Sequence, residues 1–406
     1  MSGGFLSGVN SLLPRAGRRE YDRPMDVKNR EKRGLAAIFR LCPGRHTLLL
    51  VSAALMLLHL LTRGSHALNR GVSEKLVRPL HRALAQLNAH VPFSVSELLI
   101  ALAVAALLSY LICQITALIR WGERGKRLYR TLITLLAAPL AVYALFCLLW
   151  GVFYYGDDFI AKSGLRVDPV STEQLEAVTA YFAQLANEYS EQVSRDENGV
   201  YTVDRQRLIE QSPEVYRRTV VSFPCLSGPE LKVKGILCSK IMSAVDFTGF
   251  FFPFTAEANV NVDFPPSLLA STIAHELAHQ RGVVKEQEAN FVAVLACLDY
   301  GDADYVYSAA LVAYTHLGNA LYRADHAAWE RISDALSEGV LRDFAANRAY
   351  WARYETPVQE ISNTVYEGFL YSYDQDLGLR SYGACVDLLV NYYFEKLPQS
   401  GPKCQG

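Results

Sequence analysis

No Cys-x-x-Cys spacing occurs among the eight cysteines of this 406-residue chain, so a thiolate metal site of that type has no support. No internal repeat and no long low-complexity tract is present, and no basic patch interleaved with aromatics marks a nucleic-acid surface. A net charge of −1 selects no class of partner. Charge itself is missing from three long stretches: His46 to Thr62, Leu98 to Ile119 and Thr131 to Gly156. The second and third exceed the length that crosses a hydrocarbon core as a helix, and the first is at the short limit but strongly apolar. Inside these stretches the polar content is only His59 and scattered Ser, Thr, Gln and Tyr. That argues against a membrane assembly or transport component, whose signature would be polar groups inside the spans.

Three transmembrane helices are therefore expected, at about 46–62, 98–119 and 131–156, forming a membrane domain over 46–156. A cleaved signal peptide does not suit the first, because some 45 residues precede its apolar core. Residues 1–45 form a basic segment with ten Lys or Arg against four acids, and the loop from Arg120 to Arg130 carries five against Glu123 alone. The positive-inside rule puts both in the cytoplasm and residues 157–406 outside. The loop 63–97 also holds five basic residues and weakens that contrast, although His81 to Val91 reads as an exposed amphipathic helix. The first 35 residues, rich in Gly, Arg and Asp, are expected to be disordered.

Residues 157–406 suffice for one substantial domain. Ser171-x-x-Gln174 is a capping box opening a helix to about Val193. Segments 231–244 and 250–262 read as strands, and helices follow at about 265–281, 286–299, 304–322, 326–352, 357–373 and 381–396. The fold class expected is α+β, mostly helical. Cys225 with Cys238, and Cys385 with Cys404, are the pairs that short loops would allow, while Cys42, Cys113 and Cys147 read as packing residues of the spans.

Within this domain stands His275-Glu276-Leu277-Ala278-His279. Residues four apart share a helix face, so the two imidazoles can bind one zinc ion, with Glu276 beside them as general base toward a metal-bound water. Pro265-Pro266-Ser267 opens the segment, Leu268, Leu269, Ile273 and Leu277 supply a buried face, and Gly282 closes it. A catalytic zinc takes a third protein ligand. Position 285, where a third histidine would suit one large class, is Lys285. In the next helix Ala289, Ala293 and Ala296 line one face, which lets two backbones approach. Glu286 shares that side and Glu288 points nearly opposite, so Glu286 is favoured as ligand, with Glu288 as the alternative. Upstream, polar 257, 259 and 261 alternate with apolar 258, 260 and 262, as in a half-buried strand. Its free edge, with Glu257 and Asn259, is a candidate for binding an extended peptide.

The pattern Glu286-x-x-Ala289-Asn290 resembles the Glu-x-x-Ala-Asp helix of the gluzincin metallopeptidases, in which the first glutamate binds zinc. Asn290 replaces the aspartate that steadies a zinc-bound histidine there, and an amide brings no charge to that role. More broadly, the chain resembles an uncharacterised family of bacterial membrane proteins, domain-of-unknown-function family 3810. The matching residues run from Pro253 to Asn261, His275 to Gly282, Glu286 to Phe291, Gly378 to Gly383 and Val386 to Leu389. The resemblance implies a zincin-like, membrane-anchored zinc peptidase and supplies no substrate.

The function expected is hydrolysis of peptide bonds, as an endopeptidase, outside the cytoplasmic membrane of a bacterium. His275, His279 and Glu286 would hold Zn²⁺, Glu276 would act as base, and the partners would be a peptide or protein substrate and the lipid bilayer. Tyr366, Tyr382 and His316 are candidates for a further oxyanion donor. The alternative is a non-catalytic membrane protein with a structural or sensory zinc site. Nothing in the sequence indicates an oligomeric state.

Overall fold

The computed structural model describes residues 34, 36–120, 122–373 and 383–397. The expectation of disorder before residue 36, Cys404, and the stretch containing Tyr382 fall outside them. The fold is mostly helical. Helices α1 (Pro43–Thr62), α3 (Val95–Arg120) and α4 (Arg124–Leu149) are long and apolar enough to cross a membrane. α1 is also patterned inside out. On α1, His46, Ser52 and His59 are buried while Leu50, Leu57 and Leu61 face outward. That is the arrangement lipid favours, with polar groups kept toward the bundle.

Boundaries shifted at the third span. Its helix begins at Arg124, inside the basic loop, and ends at Leu149, where Gly151–Tyr155 tightens into a 3-10 turn. Between α1 and α3 lies α2 (Arg78–Asn88). It is less exposed than its pattern predicts. Val77, His81 and Ala85 are buried, and the His81 ring packs 6.0 Å from Phe153 and 5.5 Å from Phe251.

Beyond the spans come α5 (Thr172–Ser190), α6 (Ser239–Ala244), α7 (Leu269–Gln280), α8 (Glu286–Tyr300) and α9 (Ala303–Ala324). They are followed by α10 (His326–Asp334), α11 (Glu338–Trp351), α12 (Pro357–Ser372) and α13 (Gly383–Phe394). The capping box of α5 forms as read, with Ser171 and Gln174 each accepting the other's backbone N–H. The helix expected over 326–352 breaks in two. The Ser337 side chain accepts the Val340 N–H and starts α11, a local N-cap that outweighs the continuous apolar pattern.

One small sheet is present among the described residues: β1 (Lys234–Gly235), β3 (Glu257–Val260) and β2 (Gly249–Phe252), in that spatial order. β3 is antiparallel to β2, with Gly249 opposite Val260 and Phe252 opposite Glu257. The strand expected over 231–244 therefore survives only at Lys234–Gly235. After it the Glu97 carboxylate, from the first turn of α3, accepts the Leu237 and Cys238 N–H groups at 3.0 and 2.7 Å. The chain then enters α6. A tertiary partner overrides the local β pattern here.

β3 also corrects the reading of Glu257 and Asn259. It is the middle strand, and the polar side of its alternation is buried rather than solvated. The N-terminus of α3 docks there. Glu257 accepts the Val95 and Ser96 N–H groups at 3.2 and 2.8 Å and the Ser96 hydroxyl at 2.6 Å. Ser94 donates to Asn259 Oδ1 at 2.7 Å. A carboxylate from the sheet thus caps a membrane-length helix, where unpaired N–H groups and the helix dipole both favour it. These residues join the domain to the span and do not line the cavity described below. Glu257→Ala is expected to cost roughly 2–4 kcal/mol, by stranding buried donors, and to lower the thermal midpoint in detergent. An unchanged midpoint would contradict the capping role.

The core around the motif is built by α7, α8 and α9. Leu269, Ile273 and Leu277 recur every fourth residue and are fully buried, each worth about 1.5–3 kcal/mol. Cys225, Cys238 and Cys385 are free thiols, so the Cys225–Cys238 pairing is not made.

Candidate metal centre

α7 ends in a Schellman turn: Val283 N–H bonds to Ala278 O at 3.1 Å and Gly282 N–H to His279 O at 2.9 Å. Gly282 sits at φ +86°, where a side chain would be strained. The reversal lets α8 begin only a few residues later. Ala289, Ala293 and Ala296 are all buried, and the two helices pack together. Small side chains permit that approach.

Glu286, the first residue of α8, consequently faces the two histidines. Its carboxylate oxygens lie 3.1 Å from His275 Nε2 and 3.5 Å from His279 Nε2. The donor atoms of all three residues lie within 4.8 Å of one another. Ligands at 2.0–2.2 Å around a tetrahedral zinc are roughly 3.3 Å apart, so this set fits such an ion. His279 Nδ1 lies 2.7 Å from the Val283 carbonyl. A carbonyl only accepts, so the proton sits on Nδ1 and Nε2 is the nitrogen left for a ligand bond. The backbone therefore supplies the orienting bond expected of Asn290, which lines the cavity instead.

Charge at the centre is arranged for a cation. Burial opposes the ionised form of Glu286, but His279 and His275 outweigh it and hold the carboxyl well below its usual range. Burial likewise opposes the imidazolium of His279, and Glu286 reverses this, pushing it up to about 9. Glu276 differs. It is buried, its Oε2 has no hydrogen-bond partner, and burial raises its pKa to about 7 despite the nearby histidines. Such a group is poised to exchange a proton near neutrality.

Glu288 points elsewhere. Its carboxylate accepts the Phe159 and Ile160 N–H groups at 2.9 and 3.3 Å, at the start of the short helix Phe159–Ser163. Burial, with Asp158 nearby, raises its pKa to about 7.

The cluster opens into a cavity of about 610 Å³. Other lining groups come from distant elements: Tyr366 and His316, two of the oxyanion-donor candidates, are among them, whereas Trp150 carried no pattern in the sequence. Tyr366 of α12 donates to Glu286 Oε1 at 2.9 Å, 80 positions away in the chain. Trp150, just past α4, sets its ring edge-on to His279 at 5.8 Å. His316, from α9, also lines the cavity. Gly249 of β2 lies against Glu276, and a Cβ there would come 2.6 Å from Oε1 and 2.7 Å from Cγ. A glycine within a strand signals close approach, and this one was legible in principle. β2 has no further strand on its outer side among the described residues. It is β2, not β3, that brings a sheet edge to the cavity. Gly249→Ala is expected to push the Glu276 side chain out of place and cost about 1–3 kcal/mol. A thermal midpoint equal to wild type would refute the tight contact.

Among the described residues, fold and site together define a mostly helical protein with three membrane-length apolar helices and a partly buried His-His-Glu cluster beside a carboxylic acid. The family model described as Protein of unknown function (DUF3810) matches residues 73–390, and the chain belongs to that family. Comparison with curated proteins and with solved structures finds no match.

Proposed function

We propose that this protein is a membrane-anchored zinc metallopeptidase, hydrolysing peptide bonds on the outer side of the cytoplasmic membrane. The observation that carries the reading is the convergence of His275, His279 and Glu286 next to the Glu276 carboxylate, whose buried Oε2 is unpaired, in one cavity. His275 Nε2, His279 Nε2 and the Glu286 carboxylate would hold the ion. Zinc, when bound, supplies a Lewis acid that brings water's pKa toward about 7 and polarises a carbonyl.

The chain's own groups do the rest. Glu276, buried beside the two histidines with Oε2 unpaired, takes a proton from the attacking water and returns it to the leaving amine. Val283 keeps His279 in the required tautomer, and Tyr366 holds the Glu286 carboxylate. The outer edge of β2 offers backbone groups along which an extended peptide can align. Trp150, Tyr154 and Phe369 wall the cavity and lower the local dielectric. A structural or sensory zinc would have no use for a buried base, so Glu276 favours the catalytic reading over that alternative. The excess of Lys and Arg before α1 and between α3 and α4 supports an inward N-terminus and an external domain.

The test is elemental analysis of the detergent-purified protein, joined to mass-spectrometric readout of peptide-library cleavage before and after chelation. One equivalent of zinc with cleavage abolished by chelator is expected. No zinc after reconstitution would end the proposal.

A further inference from the structure

α12 presents three different faces. Tyr366, Phe369 and Leu370 turn inward and line the cavity. Glu360 and Thr364 lie on an exposed polar arc. Val358, Ile361 and Val365, spaced three and four apart on a third arc, are 56, 65 and 68% exposed. Helical geometry stacks these three on one side, without an ionisable residue between them. A solvated helix has no reason to show such a stripe, whereas a helix lying in a membrane interface does.

The position of α12 identifies what covers the stripe. Its C-terminal end rests on the spans. Phe369 packs 5.6 Å from Phe146 in the last turn of α4, and the Tyr373 hydroxyl lies 3.2 Å from Cys147 Sγ. The Tyr373 ring also lies 6.3 Å from that of His59, near the end of α1. Its N-terminal half is tied to the chain after α6, where Ser362 donates to Val245 O at 2.9 Å and Asn363 to Asp246 Oδ2 at 3.1 Å. The start of α6 is in turn fixed to α3 through Glu97. Leu237 and Ile241, 86 and 66% exposed, sit on that link. α12 and the α6 segment thus bridge the domain-side ends of α1 and α4 on one side and α3 on the other. The aliphatic stripe is thus carried by a helix whose end packs on the domain-side ends of the spans.

We propose that α12 is an interfacial helix whose Val358, Ile361 and Val365 face is seated in the acyl-chain boundary of the bilayer leaflet nearest the domain. One wall of the cavity is then lipid-embedded, and the cavity stands at the membrane surface. A chain segment lying on or emerging from the bilayer reaches it directly. The lipid contact holds whatever the metal centre does.

The test uses the full-length protein in nanodiscs of phosphatidylethanolamine and phosphatidylglycerol, with the exposed Cys113 and Cys238 replaced by serine. Nitroxides are placed singly at 358, 361 and 365, and at 360 and 364. All five sites are exposed, so labelling disturbs no packing. Collision with lipid-soluble oxygen should exceed collision with a water-soluble nickel chelate at 358, 361 and 365, and the order should reverse at 360 and 364. Preferential access of the nickel chelate at 358, 361 and 365 would overturn the proposal by placing that face in water. Exclusion of both relaxers there, with dipolar broadening between labels, would overturn it by showing a second copy on the stripe. Both readouts are independent of zinc content and of hydrolysis, so failure here is distinguishable from failure of the peptidase reading.

Discussion

Glu276→Gln protein is expected to bind zinc as wild type does while its peptide hydrolysis falls by roughly 10²–10⁴-fold, the range that a positioned acid–base group supplies. The substitution keeps volume and shape, so the tight cradle made by Gly249 still accepts the side chain. What it removes is the ability to take up a proton. The proposed metal donors belong to other residues, and two of them are fixed from outside the motif by Val283 and Tyr366. A second readout separates chemistry from folding. In the metal-free protein the Glu276 pKa is raised to about 7 by burial, so the folded state prefers the neutral acid. Its contribution to stability is present below the ordinary carboxylate pKa and is lost as pH climbs toward 7. Metal-free Glu276→Gln should therefore gain stability over metal-free wild type between pH 5 and 8, seen as a rising difference in denaturation midpoint. Unaltered turnover in this variant would leave Glu276 a buried acid without a catalytic part.

Much of the site was legible because it is local. Five consecutive residues on one helix, a glycine two turns' end away and a stripe of alanines all follow from helical spacing, and the structure arranges them accordingly. The membrane-length helices were equally legible, since absence of charge over such lengths has few other causes. What escaped was set by contacts distant in sequence. The polar residues of β3 alternate as a solvated face would, and nothing in their spacing reveals that Ser94 and Ser96, over 150 positions earlier, occupy that face. The stretch from Leu231 to Ala244 has strand-like composition, yet Glu97 redirects it into a helix. Tyr366 reaches Glu286 only because α12 is held against the spans and the sheet. His81 was read as part of an exposed face and instead packs between Phe153 and Phe251. In each case a partner distant in sequence, which local spacing does not reveal, decided the outcome.

The two glutamates at the start of α8 give the sharpest test of the proposed metal site. Glu286→Gln should weaken zinc binding by more than the 10–100-fold usual for loss of an outer hydrogen-bond partner, because it removes a ligand and the only carboxylate in the cluster. An amide oxygen is a poor substitute for a charged donor, and two imidazoles alone leave the ion without a neutralising anion in a buried site. Glu288→Gln, two residues on, should keep zinc at wild-type affinity. Its carboxylate is turned toward Phe159 and Ile160, away from the histidines, and a glutamine oxygen can still accept one of those two N–H groups. Burial already pushes Glu288 up to about 7, so losing its charge relieves a cost at neutral pH rather than adding one. Competition titrations with a zinc chromophore would read both affinities on one scale. Equal loss in the two variants would mean that the effect is structural and that helix phase does not decide the third ligand. A loss confined to Glu288→Gln would require α8 to rotate by about half a turn from the packing that Ala289, Ala293 and Ala296 impose, exposing those alanines and burying charge in their place.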